Sequence, residues 1–138
     1  MRIALSGGFD PIHVGHLRMI KDAAVFGEVV ILLNSDSWLI RKKGYSFQSF
    51  EERKEMLEGI KGVSCVLPAI DDDNTVCESL RSLNEVIHYF GNGGDRKGDN
   101  TPESVICEEF GIPIIYGLGG NKIQSSSQLV TNAIASGA

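Results

Sequence analysis

The run Val29-Val30-Ile31-Leu32-Leu33 is apolar at every position. A strand with one wet face alternates polar and apolar residues, so an unbroken run reads as a strand covered on both faces. Such a strand belongs to a sheet sandwiched between helices, and the rest of the chain repeats that design. Strands are expected at 2–6, 28–35, 63–67, 85–90 and 112–116. Between the first two lies a helical pattern at 16–26, with Leu17, Ile20, Ala23 and Ala24 on one stripe. A capping box, Ser49 with Glu52, opens a helix running to about Ile60, with Met56, Leu57 and Ile60 inward. Asp71-Asp72-Asp73-Asn74 opens another, carrying Val76, Leu80 and Leu83. Thr101-Pro102 is an N-cap with proline at the first helical position, and that helix ends near Gly111. Ser125 or Ser126 can cap a last helix with Leu129, Val130 and Ile134 on its inner face. Five strand–helix units joined by right-handed crossovers give an α/β fold: a five-stranded parallel sheet with helices on both faces.

The chain has 138 residues, which suits a single domain spanning 1–138. Its formal net charge of -5 argues against a broad basic footprint for nucleic acid, while leaving room for a small anion in a locally cationic pocket. No segment is long and apolar enough for a signal peptide or a membrane span, so a cytoplasmic protein is expected. Cys65, Cys77 and Cys107 lack CxxC spacing and are read as reduced, mostly buried thiols rather than a disulfide framework or zinc site.

Ligands of such sheets bind beyond the carboxyl ends of the strands, near the point where strand order reverses. Four features fall on that edge. The first is Ser6-Gly-Gly-Phe-Asp-Pro-Ile-His-Val-Gly-His16. Gly7 and Gly8 allow close backbone approach, the helix start offers unpaired N–H groups, and His13 and His16, three residues apart, are expected to share a face of a helical turn. The second is Arg41-Lys42-Lys43-Gly44, shortly after strand two. The third is Gly91-Asn92-Gly93-Gly94-Asp95-Arg96, and the fourth Lys122-Ile-Gln-Ser125-Ser126-Ser127. Each supplies donors, cations or room for close approach, and a triphosphate is the simplest ligand that uses all four.

These residues carry a resemblance. GGFDPIHVGH is similar to the GxFDxxHxGH motif of the cytidylyltransferase-like nucleotidyltransferases. Asn34-Ser35-Asp36 with Lys43-Gly44, Glu52-Arg53, Gly93-Gly94-Asp95 and the Ser125–Ser127 cap resemble the family's later motifs in the right order. The resemblance implies a Rossmann-like domain, often a homodimer. It also implies transfer of a nucleoside monophosphate from an NTP to a small phosphorylated alcohol or sugar, with release of pyrophosphate. CTP is the favoured donor, with ATP on a sugar phosphate such as a heptose 1-phosphate as the alternative. It further implies that His13, His16 and Lys43 are catalytic. Gly7, Gly8, Phe9, Asp10, Gly15, Gly94, Asp95, Ser125, Ser126 and Ser127 would bind nucleotide. Arg41, Lys42, Arg53 and Lys122 are candidate contacts to phosphate or acceptor. Lys122 stands near where glycerol-type members carry an arginine, and a point charge is not a bidentate fork.

An acceptor phosphate is already ionised near pH 7, so this chemistry needs positioning and charge stabilisation rather than a general base. Mg²⁺ is expected on the triphosphate, held mainly by phosphates and waters, with no dedicated protein metal cage. Asp71 to Asp73 are better read as helix caps than as metal ligands, and His88 as structural. Gly117-Leu-Gly-Gly120 lacks the spacing of a Walker motif. Trp38 and Tyr45 flank the lysines and suit a dimer contact, an acceptor pocket or ordinary partial burial. A reading of another class is a nucleotide-binding module without catalysis, which the intact histidine pair disfavours.

Overall fold

The computed structural model describes residues 1–71, 73, 75–93 and 101–120. Among these residues five strands, β1 (Arg2–Gly7), β2 (Glu28–Leu33), β3 (Val63–Pro68), β4 (Tyr89–Gly93) and β5 (Ile114–Leu118), form one parallel sheet in the order β3-β2-β1-β4-β5. Among the described residues five helices pack around it: α1 (Val14–Ala23), α2 (Asp36–Lys43), α3 (Phe50–Glu58), α4 (Cys77–Ser82) and α5 (Pro102–Phe110). The expected α/β architecture is therefore the one observed.

The apolar run of β2 is buried at Val29, Val30, Ile31, Leu32 and Leu33. Alternate residues feed two cores, as strand geometry requires. Ile3, Leu5, Val29, Ile31 and Leu33 meet Ile20 and Ala23 of α1 and Leu57 of α3. On the other face Ala4, Leu32 and Phe90 meet Leu80 of α4 and Ile106 and Cys107 of α5. Burial pushes the Cys107 thiol up to about 11 and raises that of Cys77, as suits inert thiols rather than nucleophiles.

Several elements differ from their expected form. The stretch 36–43, to which the sequence reading assigns no element, is the helix α2. Ser35 Oγ accepts from the Trp38 N–H at 3.0 Å, and Gly44 closes the other end in the left-handed region at φ 89°. In α1, Leu17 and Ala24 face solvent, leaving Ile20 and Ala23 inward. In α3, Met56 is 45% exposed, and Arg53 and Leu57 form the buried stripe instead. Helix α4 starts at Cys77, later than expected. Asp71 still caps it, accepting from the N–H groups of Glu78 and Ser79 and from Ser79 Oγ.

Strand β4 begins at Tyr89 rather than Glu85 and runs on to Gly93. Its glycines are strand residues because neighbours close in on them. A Cβ at Gly91 would lie 2.6 Å from both Leu5 Cδ2 and Leu118 Cδ1. The chain's last stretch, including the expected helix from Ser125, lies outside the described residues.

Candidate active site

Strand β1 pairs with β2 on one side and β4 on the other. After β1 the chain turns toward β2, while β4 continues outward to β5. The reversal thus lies between β1 and β4, where an open α/β sheet leaves a crevice beyond its carboxyl ends. The glycine-rich segment from Gly7 and the N-terminus of α1 open at that crevice.

The two histidines are brought together differently from a shared helical face. His13 is the N-cap of α1 with extended backbone, φ -140° and ψ 178°. Its Nδ1 accepts from the Gly15 N–H at 3.1 Å, while His16 Nδ1 accepts from the His13 N–H at 3.2 Å. This is a capping box built from imidazoles where Ser and Glu usually serve. The rings stack with centroids 3.9 Å apart and 26° between planes. Because each Nδ1 accepts a hydrogen bond, a neutral ring here carries its proton on Nε2. Both rings therefore hold a donor N–H on the edge opposite the helix backbone.

The loop supports that pair. A Cβ at Gly15 would lie 2.9 Å from His13 Cε1, so only glycine leaves the ring in its cap position. Phe9, at φ 50°, is in the left-handed region that bulky residues seldom adopt. Its side chain is buried and packs on His16 with centroids 4.7 Å apart. What Phe9 offers a ligand is backbone, and its ring serves the histidine. The same ring lies over Gly7, where a Cβ would come 3.1 Å from Phe9 Cε2.

Asp10 and Arg53, expected at the ligand, are placed inside the protein. Asp10 is fully buried, and its two carboxylate oxygens accept the Phe47 and Gln48 N–H groups at 2.6 Å each. Arg53 is fully buried too. Its guanidinium donates to the carbonyls of Gly8 at 2.7 Å, Asn34 at 2.8 Å and Gln48 at 3.0 Å, and to Asp36 Oδ1 at 2.7 Å. One side chain thus ties the ends of β1 and β2 to the segment ahead of α3. Position 53 follows the capping box, and the sequence offers it only as a candidate contact to phosphate or acceptor. Asp36, in the sequence only part of the Asn34-Ser35-Asp36 motif, is shown by the fold to be the ion-pair partner of Arg53.

Lys43, in the last turn of α2, reaches the crevice. Its Nζ donates to the Asp10 carbonyl at 3.2 Å and lies 5.7 Å from the Tyr45 ring centroid. Desolvation by burial lowers its pKa from the ordinary 10.5; Asp10 opposes this and Arg53 adds to it. Arg41 and Lys42 lie exposed on the same helix. A residue not singled out from sequence is Met19 on α1. A Cβ at Gly93 would lie 2.5 Å from its Sδ, and one at Gly119 3.0 Å from its backbone N. The ends of β4 and β5 thus close onto the helix that carries His16. Gly94, Asp95, Lys122, Ser125, Ser126 and Ser127 lie outside the described residues.

A family model described as Cytidylyltransferase-like matches residues 4–96, a span holding most of β1, the histidine cap, α2 and the Arg53 brace. The chain belongs to the cytidylyltransferase-like family. Glycerol-3-phosphate cytidylyltransferase of Bacillus subtilis is 27% identical over 124 residues, covering 89% of this chain and 94% of that protein. The bifunctional protein HldE of Sulfurimonas denitrificans is 36% identical over 108 residues, which are 76% of this chain but 21% of HldE. The fold matches the crystal structure of the lipopolysaccharide core biosynthesis protein from Thermoplasma volcanium, with TM-score 0.71, 19% identity and coverage of 88% of this chain and 98% of that one. This cytidylyltransferase-like chain is accordingly a nucleotidyltransferase. Among its described residues no helix is long and apolar enough to cross a membrane.

Proposed function

We propose that the enzyme, acting as one domain over 1–138, transfers CMP from CTP to a small phosphorylated alcohol or sugar and releases pyrophosphate. The observation that carries this reading is the imidazole capping box at the switch point, which sets two Nε2–H donors side by side at a helix N-terminus. Donors so fixed suit charge that grows on an α-phosphoryl group and on departing pyrophosphate. An ionised oxygen of the acceptor phosphate forms a bond to the α-phosphorus. The bond from that phosphorus to the α,β-bridging oxygen breaks, and pyrophosphate leaves with the electron pair. No proton need be removed from the acceptor.

In this reading His13, His16 and Lys43 are catalytic, and the backbone of Gly7, Gly8, Phe9 and Gly15 lines the phosphates. Gly94, Asp95 and Ser125 to Ser127 complete the nucleotide site by resemblance, with Arg41, Lys42 and Lys122 as outer phosphate or acceptor contacts. Asp10 and Arg53 brace the loops. Among the described residues no three His, Cys, Asp or Glu side chains are grouped to hold a metal, and the Asp10 oxygens are taken by amides. That donor set fits Mg²⁺ arriving on the triphosphate, where it would neutralise phosphate charge. We place the enzyme in the cytoplasm as a homodimer.

A thermal-shift panel of CTP, ATP, UTP and GTP with Mg²⁺, followed by pyrophosphate release with phosphorylated acceptors, tests the proposal. The preferred nucleotide at 100 Kd stabilises by about 2.7 kcal/mol. A shift with CTP and turnover with a polyol phosphate is the expected result. The 36% identity to HldE favours a second reading, an ATP-dependent adenylyltransferase on a sugar phosphate, and a selective ATP shift would establish it. Binding without turnover on any acceptor would instead make the chain a non-catalytic module.

Lys43 adds a pH signature. Its lowered pKa means that the charge is complete below that value and is lost as pH rises through it. The alkaline limb of kcat/KM therefore falls before the ordinary lysine value of 10.5. Lys43→Arg moves the limb upward, because guanidinium stays charged. Folding responds in the opposite sense. Between the lowered pKa and 10.5 the unfolded chain binds more protons, so stability rises with pH across that window. A pH–rate profile of the two proteins checks the first point, and a limb that ignores Lys43→Arg contradicts it.

A further inference from the structure

Helix α2 sets an aromatic ring between the Gly8 loop of the site and Asp73. Trp38 is the chain's single tryptophan. Its half-buried ring is held from two sides. The indole Nε1 donates to the Asp73 carbonyl at 3.1 Å, and Cζ3 lies 3.9 Å from where a Cβ at Gly8 would sit. One turn along the helix, the Lys42 ammonium lies 5.1 Å from the ring centroid. Lys43 follows, pointing at the Asp10 carbonyl.

Triphosphate chemistry gives this indole no task, since phosphate oxygens want donors and cations. A phosphorylated polyol has two parts to satisfy: an anionic end, and a carbon chain whose C–H groups suit the negative face of an aromatic ring. A cation over a ring at the protein surface is weakly held and exchanges readily. The Asp73 carboxylate is engaged by Thr75, whose N–H and hydroxyl donate to Oδ1 at 2.9 and 2.7 Å, so what this place offers a carbon chain is the ring.

We propose that Trp38 is the acceptor platform. A small phosphorylated polyol or sugar phosphate lays its carbon chain on the indole in place of the Lys42 ammonium, which moves to the acceptor's phosphate beside Lys43. The inference rests on the nucleotidyltransferase reading above, and it adds the residue that selects the acceptor's body.

With one tryptophan in the chain, intrinsic fluorescence reports this place directly. The probes are glycerol 3-phosphate, ribose 5-phosphate and glucose 1-phosphate, with glycerol and inorganic phosphate as partial ligands. At least one sugar or polyol phosphate changes the emission saturably, at concentrations where glycerol and phosphate do not. In steady-state assays Trp38→Leu raises that acceptor's KM about tenfold and leaves the KM for the nucleotide within about twofold. Trp38→Phe keeps most of the wild-type acceptor KM. A role confined to packing would move stability, or both KM values together. Turnover that proceeds while emission and acceptor KM ignore Trp38 overturns the platform and leaves the activity standing. Saturable emission changes without turnover with any nucleotide overturn the proposed activity and leave the site standing. An unresponsive emission together with no turnover overturns both.

Discussion

Replacing His16 by alanine lowers kcat by about 10²–10³, the usual cost of one preorganised donor to developing charge. The substitution also removes an acceptor from the α1 capping box, since His16 Nδ1 receives the His13 N–H. Loss of a cap costs about 0.5–2 kcal/mol, so some fall in Tm accompanies the loss of rate. A second variant separates the two effects. In His16→Gln a side-chain oxygen can again reach the N-cap N–H, as glutamine does in an ordinary capping box. The imidazole donor remains absent. Tm recovers in His16→Gln, and kcat does not. If glutamine restores turnover along with the cap, His16 is a structural residue and the catalytic assignment fails.

The largest loss of stability belongs to Arg53→Ala. Arg53 is fully enclosed, and its guanidinium serves three backbone carbonyls and the Asp36 carboxylate. Its removal strips those carbonyls of a charged donor and leaves Asp36 without its buried partner. The Asp36 side chain is 43% exposed and turns to water, so the cost falls on the carbonyls left unsatisfied, about 2–4 kcal/mol in all, against a total stability of about 5–15 kcal/mol for an ordinary domain. Urea unfolding should show the midpoint falling by that amount of free energy at an unchanged m-value. Arg53→Lys recovers only part of the loss, because one ammonium cannot reach four acceptors set around a planar fork. A destabilisation of Arg53→Ala below about 1 kcal/mol would mean that water replaces the guanidinium without cost, and the brace would then be unimportant.

The histidine pair was legible in the sequence because its signal is local: glycines after a strand, then two imidazoles at fixed spacing. Its geometry was not. A shared helical face is the natural inference from three-residue spacing, yet His13 sits outside the helix as its cap. The reason is that a helix start leaves N–H groups unpaired, and here the imidazoles accept two of them. Helix α2 went unread although Ser35, Asp36, the basic last turn and Gly44 all mark a short helix. Its eight residues carry one buried side chain, Leu39, and a single contact gives no periodicity to detect. Strand β4 was placed too early because Gly91 and Gly93 read as a loop. Both are glycine because Leu5, Leu118 and Met19 crowd the positions a side chain would need.

By itself the sequence determined the class of fold, the parallel order of strand and helix, and the edge on which the glycine–histidine loop stands. Those follow from hydrophobic period and from residues close together along the chain. Only the tertiary structure decided which charges are available at that edge. Asp10 and Arg53 look like ligand groups in a linear reading. They are buried, and their hydrogen bonds join segments up to 45 residues apart. A charge taken out of water must find partners, and those partners come from wherever the folded chain brings them. Nothing in the local pattern marks which carboxylate or guanidinium will be enclosed.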